Sequence, residues 1–107
     1  MKVLFIVANN NGIYSQLASA PQDARYIMVY DIDTLNSFNT VRDIFSLHGQ
    51  DLYETVVDIV SRYNIPMIVL GFYDAAFLRE LMGRKVDVFI TMNSKRISDV
   101  IYRVGGA

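Results

Sequence analysis

The side chain best suited to hold a metal or move a proton in this chain is its single histidine, His48, in the run His48-Gly49-Gln50-Asp51. The 107 residues include no cysteine and five methionines. Any soft or borderline metal ligand must therefore come from His48 or a methionine. Zinc fingers, thiolate-held iron–sulfur clusters and thiol catalysis are excluded. The remaining groups of interest lie in short polar runs: Asn9-Asn10-Asn11-Gly12, Gly71-Phe72-Tyr73-Asp74 and Thr91-Met92-Asn93-Ser94. Amides and glycines of this kind suit close backbone approach to an anion, most of all where helices begin.

Catalytic patterns are missing. A nuclease built on an open α/β sheet needs carboxylates gathered at a metal, one of them on the first strand. Residues 3–8, Val-Leu-Phe-Ile-Val-Ala, carry no acid, and Asp31 and Asp33 flank a turn expected at the far edge. There is no Gly-x-x-x-x-Gly-Lys loop and no Gly-x-Gly-x-x-Gly fingerprint. Ser15 and Ser46 have no base and orienting acid beyond His48. The expectation is a binding module with no catalytic residue. His48 is the candidate metal ligand, and His48, Gly49, Asn9, Asn10, Gly71 and Asn93 are the candidate cofactor contacts. The competing reading is a protein-interaction or scaffold domain with no small ligand.

Ten Lys and Arg against eleven Asp and Glu leave a formal charge of −1, without the basic footprint of a nucleic-acid binder. The longest apolar runs fall well short of the ~18 residues of a membrane span. The opening apolar stretch is shorter than the ~7–15 residues of a signal-peptide core, and Asn9 to Gly12 end it. It reads as a buried strand, and the absence of cysteine fits a reducing compartment, so a cytoplasmic protein is expected. The apolar fraction of 52%, rich in Tyr and Phe, suits a well-filled core or a face covered by a partner, a homodimer among the options.

The elements that must position these residues follow from periodicity. The length is that of one domain, spanning residues 1–107. The continuous apolar run 3–8 predicts a strand buried on both faces. Residues 9–23 read as a long polar loop. Residues 25–30 and 38–44 predict a second and a third strand, with turn chemistry over 31–36. Leu52, Val56, Ile59, Val60 and Tyr63 fall at helical spacing. Asp51 and Glu54 resemble a capping box, and Asn64 and Pro66 stop this helix. Residues 67–70 and 86–91 predict two more strands. Asp74 is positioned to cap a helix stopped by Gly83, and Ser94 to cap a last helix stopped by Gly105 and Gly106.

The resulting string is βββαβαβα. Its second half demands parallel strands and right-handed crossovers. The expected fold is an α/β domain with a five-stranded mixed sheet of order 3-2-1-4-5. Strand 2 runs antiparallel to the rest, and helices cover both faces, as in ribonuclease H-like domains. Ligands of open α/β sheets lie outside the carboxyl ends of the parallel strands. That edge is where the loops carrying Asn9, His48, Gly71 and Asn93 are expected to meet.

Met1-Lys2-Val3, Tyr30-Asp31, His48-Gly49, the run Ile65-Pro66-Met67-Ile68-Val69-Leu70-Gly71 and Lys85-Val86-Asp87-Val88 resemble the dinitrogenase iron–molybdenum cofactor biosynthesis family. The resemblance spans essentially the whole chain as a pattern of elements. It implies a small ribonuclease H-like domain that carries an iron–molybdenum or iron–sulfur cluster precursor and meets a metallocluster-assembly partner protein. By residue-level match it points to His48, Gly49 and Gly71. The stretch matching the family's Ser-x-His-Phe-Gly-Arg-Ala segment, residues 17–25, lacks its His, Phe and Gly, and the Gly-x-x-Gly-like turn is replaced by Gly71-Phe72-Tyr73-Asp74.

Overall fold

The computed structural model describes residues 1–32, 41–93 and 95–105. Five strands, β1 (Lys2–Val7), β2 (Tyr26–Asp31), β3 (Val41–Ser46), β4 (Met67–Leu70) and β5 (Asp87–Ile90), form one sheet of order β3-β2-β1-β4-β5. β2 is antiparallel to both neighbours, while β4 is parallel to β1 and to β5. The predicted architecture is therefore observed, strand by strand and in direction.

Alternation along the strands explains why both faces are covered. Leu4 and Ile6 of β1, Ile27 and Val29 of β2, and Ile68 and Leu70 of β4 enter one apolar cluster. Helices α1 (Leu52–Tyr63) and α2 (Ala75–Met82) close it with Val56, Ile59, Val60, Phe77 and Leu81. Val3, Phe5 and Val7, with Met28, Tyr30 and Val69, point the other way. There α3 (Ile97–Gly105) covers them with Ile97, Val100 and Ile101. A strand buried on both faces has no polar side to present, so β1 is apolar from Val3 to Val7 and central. Tyr30 is a polar exception in this core. Its hydroxyl is buried without a hydrogen-bond partner among the described residues, and burial pushes its pKa up to about 12.

Several local expectations are corrected. The third strand is observed over 41–46 and runs two residues past its predicted end at 44, while residues 33–40, with the predicted strand start at 38 and most of the predicted 31–36 turn, lie outside the described residues. The first, second and fifth strands each differ from their predicted spans by one residue at both ends. Asp51 and Asp74 cap their helices as predicted, accepting the N–H of Glu54 and of Phe77 at 2.9 Å each. Asn64 ends α1 in the left-handed conformation, at φ 53°. Gly83 follows α2 in ordinary right-handed geometry, and the left-handed residue that turns the chain toward β5 is Lys85, at φ 60°. Ser94 and Gly106 lie outside the described residues. At the start of α3 the Asp99 carboxylate accepts the N–H of Arg96 at 2.9 Å.

Candidate functional site

The polar stretch after β1 decides the shape of the ligand edge. It is not an open loop. Two short 3-10 turns, Gly12–Tyr14 and Pro21–Asp23, bracket a crossing segment that runs over the ends of β1 and β4. The segment is tied on both sides. The N–H of Ala8 bonds to the carbonyl of Gln16, and that of Ala18 to Ile6 (2.8 and 3.0 Å). The N–H of Leu17 bonds to Lys95, and that of Ile97 to Ser15 (2.9 and 3.1 Å). Ser15, Leu17 and Ala18 are buried as a result.

Gly71 lies beneath this crossing. A Cβ there would meet the Ala18 carbonyl oxygen at 2.5 Å and the Leu17 Cβ at 3.0 Å. Its φ is not positive, so the glycine serves a close approach of two backbones and not a sharp strand-to-helix turn. Among the predicted contacts, Gly71 is buried and Asn93, left-handed at φ 76°, is exposed; neither lines the cleft described next.

Where β1 and β3 end and β2 begins, the same edge stays open as a cleft of about 980 Å³. Its walls come from residues 8–10, most of 21–26, and 46–53. Four of the predicted contacts line it: Asn9, Asn10, His48 and Gly49. The turn 47–50 presents His48. It closes with the Gln50 N–H on the Leu47 carbonyl at 2.7 Å. Gly49 takes φ 73° at its third position while His48 stays at negative φ, the pattern of a type II turn. Leu47 is buried and its N–H bonds to Arg25 at 3.0 Å, so the turn is anchored and His48 is left exposed. Asn9 is already engaged, its Oδ1 accepting the Gln16 N–H at 2.9 Å. Asn10 is exposed.

Two side chains of this cleft escaped the sequence reading. Arg25, taken there only as the start of a strand, lines it beside Gln22. Tyr53 lines it from the first turn of α1 and donates its hydroxyl to Asp74 Oδ2 at 2.6 Å, while its ring stacks on Phe77 at 4.2 Å. Burial, then the bond to Asp74 and the charges of Asp74 and Asp51, push the Tyr53 pKa up to about 12. The same bond, followed by the Phe77 and Ala76 N–H groups, holds the Asp74 carboxyl below its usual value. Tyr53 therefore stays protonated at neutral pH and joins the heads of α1 and α2. No spacing rule pairs residues 53 and 74; the pairing appears only when the two helices pack on one sheet face.

No protein-family model and no curated protein matches the sequence. The fold is shared with solved structures. That of PH0822, a crystal structure, superposes with a TM-score of 0.74 at 20% identity, over 99% of this chain and 91% of that one. The NMR structure of a candidate NifB protein from Thermotoga, of the DUF35 family, gives 0.69 at 13% identity, over 98% and 88%. At such identities the likeness establishes the fold alone.

Among the described residues no group of three or more His, Cys, Asp or Glu is placed to enclose an ion. Among them, too, no helix is long and apolar enough to cross a membrane.

Proposed function

We propose that this chain is a non-enzymatic binding or carrier module whose cargo sits in the His48 cleft. The observation that carries the reading is the cleft itself, with an anchored turn holding an exposed imidazole at its wall. An iron–molybdenum or iron–sulfur precursor is the cargo we favour. The chain resembles the dinitrogenase cofactor biosynthesis family, and a fold neighbour is a candidate NifB protein. The donor set fits such a cluster at one vertex only. One imidazole nitrogen supplies a bond that a delivery protein can release, and a closed cysteine site would not. We also propose that the protein works in the cytoplasm and passes its cargo to a metallocluster-assembly partner.

The test is anaerobic incubation with ferrous iron and sulfide, then desalting, with iron analysis and visible absorbance of the protein fraction. Wild type is expected to retain iron, and His48→Ala to lose most of it. Equal retention by the two proteins removes His48 from the site. No retention by wild type removes the cluster as cargo.

A second reading, a protein-interaction domain, rests on Tyr73 and Met82. Both are about two-thirds exposed, and they line one shallow groove along α2. Pairing of two copies would be visible in light scattering as a mass that rises with concentration.

A further inference from the structure

We infer that Arg25 is the anchor of the cleft's ligand and that it grips an oxyanion, a carboxylate or phosphoryl group, through one edge of its guanidinium. The inference rests on the cleft being the ligand site and adds what kind of group that site recognises.

Arg25 Nη1 donates to the carbonyl oxygens of Gln22 at 2.8 Å and Ala24 at 3.1 Å. Both bonds use the same nitrogen and both go to neutral acceptors. The Nε and Nη2 donors have no partner among the described residues, and no carboxylate there lies within ion-pair distance of the guanidinium. An arginine fixed in this way loses much of its rotamer freedom without gaining a counter-charge. Its remaining donors match the two oxygens of a planar carboxylate or two of a phosphate, the bidentate geometry that lysine cannot offer.

The surroundings favour the same ligand. Among the described residues the cleft is lined by one arginine, one histidine and one acid, and that acid, Asp51, already caps α1 through Oδ1. Asn10 and Gln22 add exposed amide donors. Ala8, Pro21 and Leu52 supply apolar wall, which suits a ligand with a non-polar body behind its anionic group. His48 and Arg25 are carried by neighbouring segments of the edge, joined by the Leu47 N–H bond to the Arg25 carbonyl at 3.0 Å.

The test is a proton–nitrogen NMR titration of the intact chain with inorganic phosphate and, separately, with malonate. A saturating shift of the Arg25 Nε–H signal, with the Gly49 and Gln50 amides, is expected with at least one anion. Saturation with phosphate alone identifies a phosphoryl-bearing ligand, with malonate alone a carboxylate, and with both the shared oxyanion chemistry. Arg25→Gln is expected to weaken binding by about tenfold or more, the loss of a charge-assisted pair of hydrogen bonds. Arg25→Lys keeps the charge, loses the fork and should fall between the two. The unchanged amide pattern of each variant away from the cleft checks the fold. Shifts that never saturate, or Arg25→Gln binding as tightly as wild type, overturn the inference. The two readings fail separately. Iron retention abolished in His48→Ala while anion binding persists leaves Arg25 in place, and an Arg25→Gln protein that still binds the anions removes Arg25 whatever the iron result.

Discussion

Where β1 and β4 end, the sheet edge is filled by the chain itself: Leu17 and Ala18 cross it, and Gly71 gives up its side chain to let them pass. Where β1 and β3 end and β2 begins, the same edge holds an open cleft with exposed His48, Asn10 and Arg25. One half is built from the carboxyl ends of β1 and β4, the other from those of β1 and β3 with the amino end of β2 between them. They differ in what the connecting chain does next. The 9–24 connection has backbone groups to satisfy, and it satisfies them over β1 and the start of α3. A buried crossing without those bonds would leave orphaned N–H and C=O groups. The connection after β3 is short, turns once at Gly49 and enters α1, so it covers nothing. The expected meeting of four loops at one ligand site is thus divided: one side is closed by packing and the other is available for binding.

If this division is right, substitutions on the closed side should cost stability and those in the cleft should not. Leu17→Ala removes a fully buried side chain from the crossing and is expected to cost about 2–5 kcal/mol. A urea denaturation curve measures this directly, and a loss under ~0.5 kcal/mol would mean the crossing is not packed as described. Gly71→Ala should cost about 1–3 kcal/mol, because the new methyl meets the Ala18 carbonyl and the two backbones must separate. An unchanged midpoint would break the close-approach explanation.

The link between Tyr53 and Asp74 should show itself as a smaller, pH-dependent effect at the cleft wall. The folded Asp74 carboxyl is held below the usual 3.8 by the Tyr53 hydroxyl and the Phe77 N–H. A depressed carboxyl stabilises the fold above its unfolded pKa, and that contribution is lost as pH falls through the folded value. Wild type should therefore lose this increment below about pH 4. Tyr53→Phe, lacking the first cause, should show a weaker dependence in that window. Parallel acid limbs for the two proteins would remove the hydrogen bond from the account.

The smallest effect belongs to His48→Ala. His48 is exposed and packs under nothing, so its denaturation midpoint should match wild type to within ~0.5 kcal/mol. A larger loss would make His48 a structural residue and sharpen the case against the cleft as a ligand site.

The architecture was legible in the residues because it depends on local pattern. Residues 3–7 are apolar without alternation, which only a central strand tolerates, and the strand–helix alternation after Asp51 allows parallel strands with few alternatives. Asp51, Asn64 and Asp74 act within one turn of their own positions, so their roles as caps could be read from spacing. The span of β3 was less legible, since 41–46 carries little alternation and its order comes from pairing with β2.

For the site, sequence by itself determined that His48 is the only imidazole, that no thiol exists, and that the loop beginning at Asn9 and those bearing His48, Gly71 and Asn93 leave one edge of the sheet. Tertiary structure decided which of those loops share a cleft. It also supplied the reason for Gly71, the pairing of Tyr53 with Asp74, and the carbonyl pair that holds Arg25 in the cleft wall. The physical reason is range. Caps and periodicities are settled between residues a few positions apart, whereas the closure of half the edge depends on residues 15–18 meeting 6, 71 and 95. No local pattern in residues 9–24 encodes where those partners will be.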